Sequence, residues 1–495
     1  MRSTFLATLA AAALLACSAR STCPEGQVDC GGRCVALSAD PLNCGACGTV
    51  CGAGGACRAG ACDCGPGTVR CGETCAQLES DPANCGACGK TCPGAQVCGT
   101  AGGAIACADA CAEGLTACER ACVDLTSNRY HCGGCGVLCE PGEACDGGTC
   151  RSLQVACFAT DDVRPLAPDL AGAGSPRPAG DGPVALAGLD GDVWAAAALS
   201  GSLVRLPLEL AAPSVEHALH AADLEGIAAV GDRLLVSNSG GGSVAVVEPG
   251  TGRVLDDVIL PGPPSANPRG IAVLDGRAYV ALYGKDEASG GQAVAVLDVS
   301  RVPGCAGAPC ATLERTIDLR GAADAGALPF PGHAVALDGN VHVTLANLAK
   351  DSDPTSWTYG YYVTPAGPGR LVTIDAASGA SRVLSLGDGC KNPGALAAHG
   401  STLWISCAGA GAAGLLPVDL SNPAAPVVGG LLLTAFDAPG AVAFCRGAGF
   451  VSDQYTGRVQ RFDPVTRNAQ EAVEVCPMGA QGWAWAADLL CAPGR

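Results

Sequence analysis

Two patterns of apolar and polar positions divide this chain. From Arg151 onward, short aliphatic runs are separated by tight turns of the D-G kind. Gly226-Ile-Ala-Ala-Val-Gly-Asp-Arg-Leu-Leu-Val and Gly270-Ile-Ala-Val-Leu-Asp-Gly-Arg-Ala-Tyr-Val match almost position for position. Each opens an alternating strand, turns, and returns as a second strand. Similar openings stand at Gly182, Gly332, Gly394, Gly440 and, with a poorer match, Gly482. Runs such as Val244–Glu248, Val294–Asp298, Leu371–Asp375 and Val459–Asp463 supply a third strand, and Val254–Leu260 or Thr316–Leu319 a fourth. The openings recur every 42–46 residues, with two intervals lengthened to 62. Four strands per unit at that spacing predict a β-propeller, and seven openings predict seven blades. No strand–helix alternation is present, which argues against α/β enzyme folds. The last unit has room for two strands, so Gln154–Phe158 and Val163–Leu166 are expected to complete it as third and fourth strands. That would close the ring and remove its exposed edge. The repeat P-x-G-I-A-V-x-D-G-x-x-Y-V...V-A-V-L-D is similar to YVTN/NHL-class propeller repeats over most of residues 180–475.

Before Arg151 the alternation is absent and cysteine sets the pattern. Eight cysteines occur three times: from Cys23 to Cys62, from Cys64 to Cys107 and from Cys111 to Cys150. Every copy reads C-x6-C-x3-C-x9-C-x2-C-x3-C-x5-C, with only the final gap varying. An even set per copy allows four internal disulfides, with connectivity open. A unit of this size cannot bury enough apolar surface to fold unaided, and crosslinks offset the deficit. Asp40-Pro41 and Asp81-Pro82 set up turns, and glycines flank the paired cysteines. The pattern C-x3-C-(V)-x-L-x2-D-P-x-N-C-G-x-C-G resembles the Stig1-type, stigma-specific Cys-rich repeat. Copy three departs from it, with Asn128, Arg129 and His131 in place of Asp, Pro and Asn. The C-x2-C pairs at Cys44/Cys47, Cys85/Cys88 and Cys132/Cys135 have zinc or redox spacing, but all eight positions recur together, so structural disulfides are expected.

The first residues form a third kind of segment. Arg2 precedes the apolar run Phe5–Ala16, short enough to be a cleaved signal and too short to span a bilayer. It ends Leu14-Leu15-Ala16-Cys17, which resembles the bacterial lipobox. The resemblance implies cleavage before Cys17 and acylation of that cysteine, and Ser18 implies sorting to the outer membrane. The expected organisation is therefore a signal peptide (1–16), an anchor and tether (17–22), Cys-rich repeats at 23–62, 64–107 and 111–150, and a propeller at 151–495.

Composition narrows the function classes. The formal net charge is −18, with only four lysines, Lys90, Lys285, Lys350 and Lys391. That excludes a nucleic-acid partner, whose phosphates require Lys/Arg neutralisation, and a polybasic membrane patch. Mean hydropathy is +0.29, yet beyond residue 17 no apolar run is long enough for a span. Of the 33 cysteines, eight lie from Cys157 onward. Cys305–Cys310 would close a loop and Cys390–Cys407 would link neighbouring strands. Cys157, Cys445, Cys476 and Cys491 stay unassigned.

No nucleophile elbow, zinc-protease helix or phosphate-binding loop is present, so no catalytic residue, metal or cofactor is expected. Ser237–Ser243 is glycine-rich but lacks Lys and reads as a hairpin. His217 and His220 read as loop residues. Propellers bind at the face where inner strands begin. There the openings supply Glu225, Arg269, His333, Asn392 and Asp437, and second strands end near Asn238, Asn347, Asp453 and Gln454. The 22 residues between Asn347 and Arg370 lie on the same face and hold Trp357, Tyr359, Tyr361 and Tyr362. Such a cluster suits recognition of a glycan or protein, or it folds back to cover its own insertion. The expected function is a non-catalytic cell-surface lipoprotein, with a disulfide-rich stalk and a propeller that binds a protein, glycan or small ligand. A lactonase- or lyase-type propeller enzyme is the alternative.

Overall fold

The computed structural model describes residues 23–492 apart from 24–25, 31–33, 41, 52–54, 65–68, 73, 102–103, 129, 140–142, 171–172, 208–211, 263–265, 289–290, 409–412, 481 and 483. The signal segment with Cys17, and Arg129, lie outside the described residues. The chain is all-β and forms two compact units, 1–125 and 126–495.

In the first unit the cysteines pair identically in copies one and two. Cys23–Cys34, Cys30–Cys47, Cys44–Cys57 and Cys51–Cys62 link first to third, second to fifth, fourth to seventh and sixth to eighth. Cys64–Cys75, Cys71–Cys88, Cys85–Cys98 and Cys92–Cys107 repeat this. The two sulfurs of each C-x2-C thus go to different partners, which is not the arrangement of a redox dithiol. The disulfides are also the core: Cys44, Cys51, Cys57, Cys62 and Cys75 form one buried cluster and Cys85, Cys92 and Cys98 another. Between them the Asp-Pro turns close as read. Asp40 accepts from the Leu42 N–H at 2.8 Å, and Asp81 from the Ala83 N–H at 2.8 Å. Copy three begins here with Cys111–Cys122.

In the second unit, copy three continues with Cys132–Cys145 and Cys139–Cys150. Its departures from the repeat preserve the turn. Asn128 Oδ1 accepts from the Tyr130 N–H at 2.9 Å, as the aspartates do. His131 Nδ1 accepts from the Gly136 N–H at 3.0 Å, where Asn43 and Asn84 accept from Gly48 and Gly89. Both changes conserve an acceptor at the required place, and His131 is part of the turn.

Among the described residues, seven sheets of four or five strands follow. Their inner strands are Pro183–Leu189, Leu224–Val230, Pro268–Leu274, Pro331–Leu337, Pro393–His399, Pro439–Cys445 and Ala486–Cys491. Each packs on the next, and the last on the first, which makes a closed propeller ring. We number the blades 1 to 7 in that order. The cores lie between blades and are aliphatic. One cluster gathers Leu235, Val244, Val246, Val280, Leu282 and Leu297, all fully buried, from blades 2 and 3. Large rings fill the wider gaps: Trp404 of blade 5 meets Phe462 of blade 6 with centroids 4.9 Å apart.

Closure corrects the strand count expected from sequence. The inner strand Ala486–Cys491 comes from the C-terminal region alone, and Leu153–Cys157, Asp162–Leu166 and Arg177–Pro178 are the second, third and fourth strands. Leu153–Cys157 is hydrogen-bonded along both edges and buried at every position. A segment buried on both faces has no alternation from which its rank in a sheet can be read. Disulfides reinforce the seam: Cys157 bonds Cys476, and Cys445 of blade 6 bonds Cys491 of blade 7. Cys305 pairs with Cys310, and Cys390 with Cys407.

Candidate functional site

The inner strands share one irregularity that builds the site. Near its start each carries a bulge against the second strand, as between Leu224 and Gly226, Pro268 and Ile271, or Pro331 and Ala334. Buried hydroxyls from the second strands satisfy backbone groups freed there. Ser237 Oγ donates to the Arg269 carbonyl at 2.9 Å, Thr344 Oγ1 to the Gly394 carbonyl at 2.9 Å, and Ser452 Oγ accepts from the Ala441 N–H at 3.0 Å. Side chains around the bulge turn toward the axis and line a cavity of about 500 Å³ with contributions from all seven blades.

Reading around the ring from the bulge separates wall from chemistry. The second inner-strand position runs Val184, Glu225, Arg269, Gly332, Gly394, Gly440 and Ala487. The third runs Ala185, Gly226, Gly270, His333, Ala395, Ala441 and Asp488, and the fourth is aliphatic throughout. Small residues at the third position follow from close packing: a Cβ on Gly270 would lie 2.9 Å from the Gly332 carbonyl oxygen of the next blade. Only Glu225, Arg269, His333 and Asp488 break this apolar pattern, with Gln454 and Trp485 also lining the cavity. The polar side chains come from blades 2, 3, 4, 6 and 7, whereas blades 5 and 1 present Ala395, Leu396, Val184 and Leu186.

Each polar group is held differently. Asp488 accepts from the Leu186 and Leu489 N–H groups, both at 2.8 Å. Burial nevertheless pushes its carboxyl up to about 6, with the two N–H groups opposing. Burial also raises the Glu225 carboxyl, partly countered by Arg269. His333 is reached by solvent within the cavity but lies deep in the ring. Desolvation first, and the Arg269 charge second, push it down to about 4, so the ring is neutral at physiological pH. Arg269 Nη2 stands 3.6 Å from Glu225 Oε1, and its guanidinium lies 4.3 Å from the Tyr283 ring centroid.

Sequence reasoning brought Glu225, Arg269 and His333 to this cavity but missed Asp488 and Trp485. The expected opening at Gly482 set the strand four residues too early; the Ala-Ala-Asp-Leu run at 486–489 is the signal that locates it. Asn392 and Asp437 sit on exposed loops that lead into blades 5 and 6 and do not line the cavity. Of the second-strand ends, Gln454 lines it. Asn238 stabilises its own turn through the Gly241 N–H at 3.0 Å, and Asp453 caps Tyr455 N–H and Thr456 Oγ1, both at 2.8 Å. Buried Asn347 ties Asp324 and the Pro368 carbonyl at 2.7 and 3.0 Å. His217 stacks on Trp194.

The blade-4 insertion is a small sheet of Ala327–Leu328, Leu348–Lys350 and Tyr362–Pro365. Its aromatics divide. Tyr362 packs inward on Phe330, donates its hydroxyl to Glu287 and lies under Lys350, which pairs with Glu287 at 3.2 Å. That hydroxyl is the main reason the Glu287 carboxyl is held down at about 2. Trp357, Tyr359 and Tyr361 point outward, at 93%, 57% and 63% exposure. The turn beneath them is pinned by Asp351, which accepts from Thr358 Oγ1 at 2.5 Å and from the Asp353 N–H at 2.9 Å.

Among the described residues, the His/Cys/Asp/Glu groups close enough to share an ion are three cysteine triples: Cys44/Cys51/Cys62, Cys85/Cys92/Cys98 and Cys132/Cys139/Cys150. All nine are disulfide-bonded and so are not thiolate ligands.

Residues 101–153 match the stigma-specific STIG1-like protein family. This is the third repeat, the copy that departs furthest from the turn sequence of the other two. No curated protein matches the chain. Among solved structures it is similar to a protein from Lactobacillus plantarum, at 13% identity over 69% of this chain and 99% of that one, with a TM-score of 0.50. It is also similar to virginiamycin B lyase from Staphylococcus aureus, at 12% identity over 59% and 84% with a TM-score of 0.44. A candidate 6-phosphogluconolactonase from Bacteroides fragilis shares 13% identity over 69% and 98%, with a TM-score of 0.48. At such identities the likeness is one of fold. Disulfides on this scale suggest an extracytoplasmic protein. No helix among the described residues is long and apolar enough to cross a membrane.

Proposed function

We propose that this is a cell-envelope lipoprotein, anchored at Cys17, whose disulfide-stapled repeats carry a propeller that binds a small polar organic ligand in its axial cavity. One observation carries the binding reading. Arg269, His333, Glu225 and Gln454 converge on one cavity, and there Arg269 Nε is buried without a hydrogen-bond partner. Buried polar groups are ordinarily satisfied, so a buried unpartnered guanidinium N–H among convergent polar side chains supports a ligand at this place. A volume of about 500 Å³ suits a small molecule. Exposed Trp357, Tyr359 and Tyr361 offer a second, flatter contact for a glycan or protein.

The direct test uses the soluble form lacking the anchor cysteine, in a ligand screen read by thermal shift. Val184→Trp, at the half-buried second position where other blades carry Glu225 and Arg269, fills the cavity from the apolar side and should abolish stabilisation by true ligands while leaving the ring folded. A screen in which Val184→Trp responds like wild type would exclude axial binding. Radiolabelled palmitate incorporation, lost in Cys17→Ala, tests the anchor.

The hydrolase or lyase reading rests on a narrower observation. Asp488, raised to about 6, and His333, lowered to about 4, are titratable groups in one cavity that burial shifts in opposite directions, and perturbed groups of this kind gather at functional sites. Turnover of a bound lactone or ester, lost in both Asp488→Asn and His333→Gln, would favour it over simple binding.

A further inference from the structure

Arg269 is the anomaly in the wall. Its Nε is buried and has no partner, and its guanidinium donates no hydrogen bond among the described residues. Glu225 is the carboxylate beside it, and 3.6 Å is beyond hydrogen-bond range. A planar cation with five donors thus has no hydrogen-bonded acceptor on the protein, one donor buried, and only a loose ion pair to Glu225.

The guanidinium is nonetheless built to stay where it is. Its carbon lies over the Tyr283 ring, 4.3 Å from the centroid, and Tyr283 is fixed in turn. Phe330 packs on the Tyr283 ring at 4.9 Å, and Tyr362 packs on Phe330 at 5.7 Å. Gln292, 1% exposed, donates to the Tyr283 carbonyl at 2.9 Å and accepts from the Phe330 N–H at 2.8 Å. The Tyr283 N–H donates to the Asn267 carbonyl at 3.0 Å. Three residues of this scaffold hold left-handed backbone without being glycine: Asn267 at φ 48°, Gln292 at φ 66° and Phe330 at φ 48°. For Phe and Gln that conformation is unfavourable and persists only when the surroundings over-determine it. Strain gathered behind one side chain marks a positioned group, and here the positioned group is a cation held only loosely by Glu225.

We propose, resting on the axial-cavity reading, that the ligand carries a carboxylate, that Arg269 receives it as a bidentate fork, and that Glu225 is the resident carboxylate it displaces. Arg forks match carboxylates in geometry and form short charge-assisted bonds. The rest of the ligand faces the apolar arc of Ala395, Leu396, Val184 and Leu186, so the class is a small carboxylate on a largely apolar frame. Tyr283 is the positioning residue that holds the fork.

Displacement has a proton consequence. The charged or titratable groups around Arg269 are Glu225, with Asp223 beside it, from blade 2, Tyr283 from blade 3, His333 from blade 4 and Asp488 from blade 7. A second carboxylate on Arg269 takes that cation's help away from Glu225, whose carboxyl burial already raises. Glu225 then takes up a proton on binding, and so does Asp488 in the mildly acidic range. Affinity therefore rises as pH falls, until the ligand's own carboxylate is protonated.

The experiment titrates the soluble protein by calorimetry with small aliphatic, aromatic and sugar-derived carboxylates, each paired with its neutral primary amide. The expected result is binding of an acid at least about tenfold tighter than its amide, and about tenfold tighter near pH 5 than near pH 7.5. Arg269→Gln should abolish the preference for acid over amide, and Arg269→Lys should weaken it, since an ammonium keeps the charge without the fork. Glu225→Gln should retain binding and flatten its pH dependence. Tyr283→Leu should weaken acid binding with little effect on amides, which a purely structural role would not produce. Acids and amides that bind equally, in a manner still lost in Val184→Trp, would overturn the carboxylate while leaving axial binding intact. No binding by any acid, with neutral compounds from the wider screen still stabilising the protein, overturns it as well. Binding of acids that Val184→Trp does not touch would overturn both.

Discussion

The Cys-rich repeats and the propeller bury their interiors by opposite means. In the repeats the buried clusters are disulfide sulfurs, with Val35, Ala76, Val97 and Val123 among the few buried aliphatic residues nearby. In the propeller the same job falls to fully buried Leu, Val, Ile, Trp and Phe between blades, and its four disulfides sit at seams and loops. Chain length explains the difference. A segment of about 40 residues exposes too much of its surface for an apolar core to outweigh chain entropy, whereas a ring of blades shares each core between two sheets. Covalent links constrain the unfolded state, and apolar burial stabilises the folded one. The two regions should therefore fail under different challenges.

Chemical reduction should separate them most. Full reduction is expected to unfold the repeats entirely while the propeller keeps its β-sheet circular dichroism and a cooperative melt; joint collapse would refute the division. Next comes the seam. Cys157–Cys476 spans 319 residues, so the paired substitution Cys157→Ala/Cys476→Ala should destabilise the ring by about 4 kcal/mol, measured by denaturant titration. An aliphatic test follows: Leu235→Ala, in the core between blades 2 and 3, should cost about 3 kcal/mol.

Acidity gives a smaller, signed effect. Asp488 is raised to about 6, so its contribution to stability is full below about 4 and is lost as pH rises toward 6. His333 and His342 are lowered to about 4, so theirs is present above about 6.5 and is lost as pH falls. The two oppose each other over the same window, and the wild-type profile should be shallow. Asp488→Asn should make it fall more steeply on acidification and His333→Gln less steeply, each by about 1 kcal/mol once screening by cavity water is allowed for. Parallel profiles in all three proteins would remove burial as the cause. Smallest of all is the third repeat: His131→Asn should change stability by less than about 0.5 kcal/mol, and His131→Ala by about 1, because only the acceptor matters.

Much of this was legible in the sequence. Turn chemistry, strand periodicity and cysteine spacing are local, and the blades, the repeats and three of the four titratable axial side chains (Glu225, Arg269 and His333) followed from them. Sequence reasoning lost what depends on partners far away. The Leu153–Cys157 strand carries no alternation, so its place as second strand depends on Ala486–Cys491, more than 300 residues later. Asp488 was hidden for the same reason, since its strand is defined only by closure. Tyr362 looked like its exposed neighbours until Phe330, Lys350 and Glu287 surrounded it.

By itself, then, the amino-acid order determined the all-β class, the eight-cysteine frameworks and most of the positions where side chains turn to the axis. Those rest on periods of two, about forty and forty-four residues, which are properties of the chain alone. Only the tertiary structure decided which cysteines bond within the repeats and at the seam, the rank of each strand that seals the ring, and that Arg269 stands on a strained aromatic scaffold. Each is a contact between residues remote in sequence, where geometry selects one partner among several that composition alone would allow.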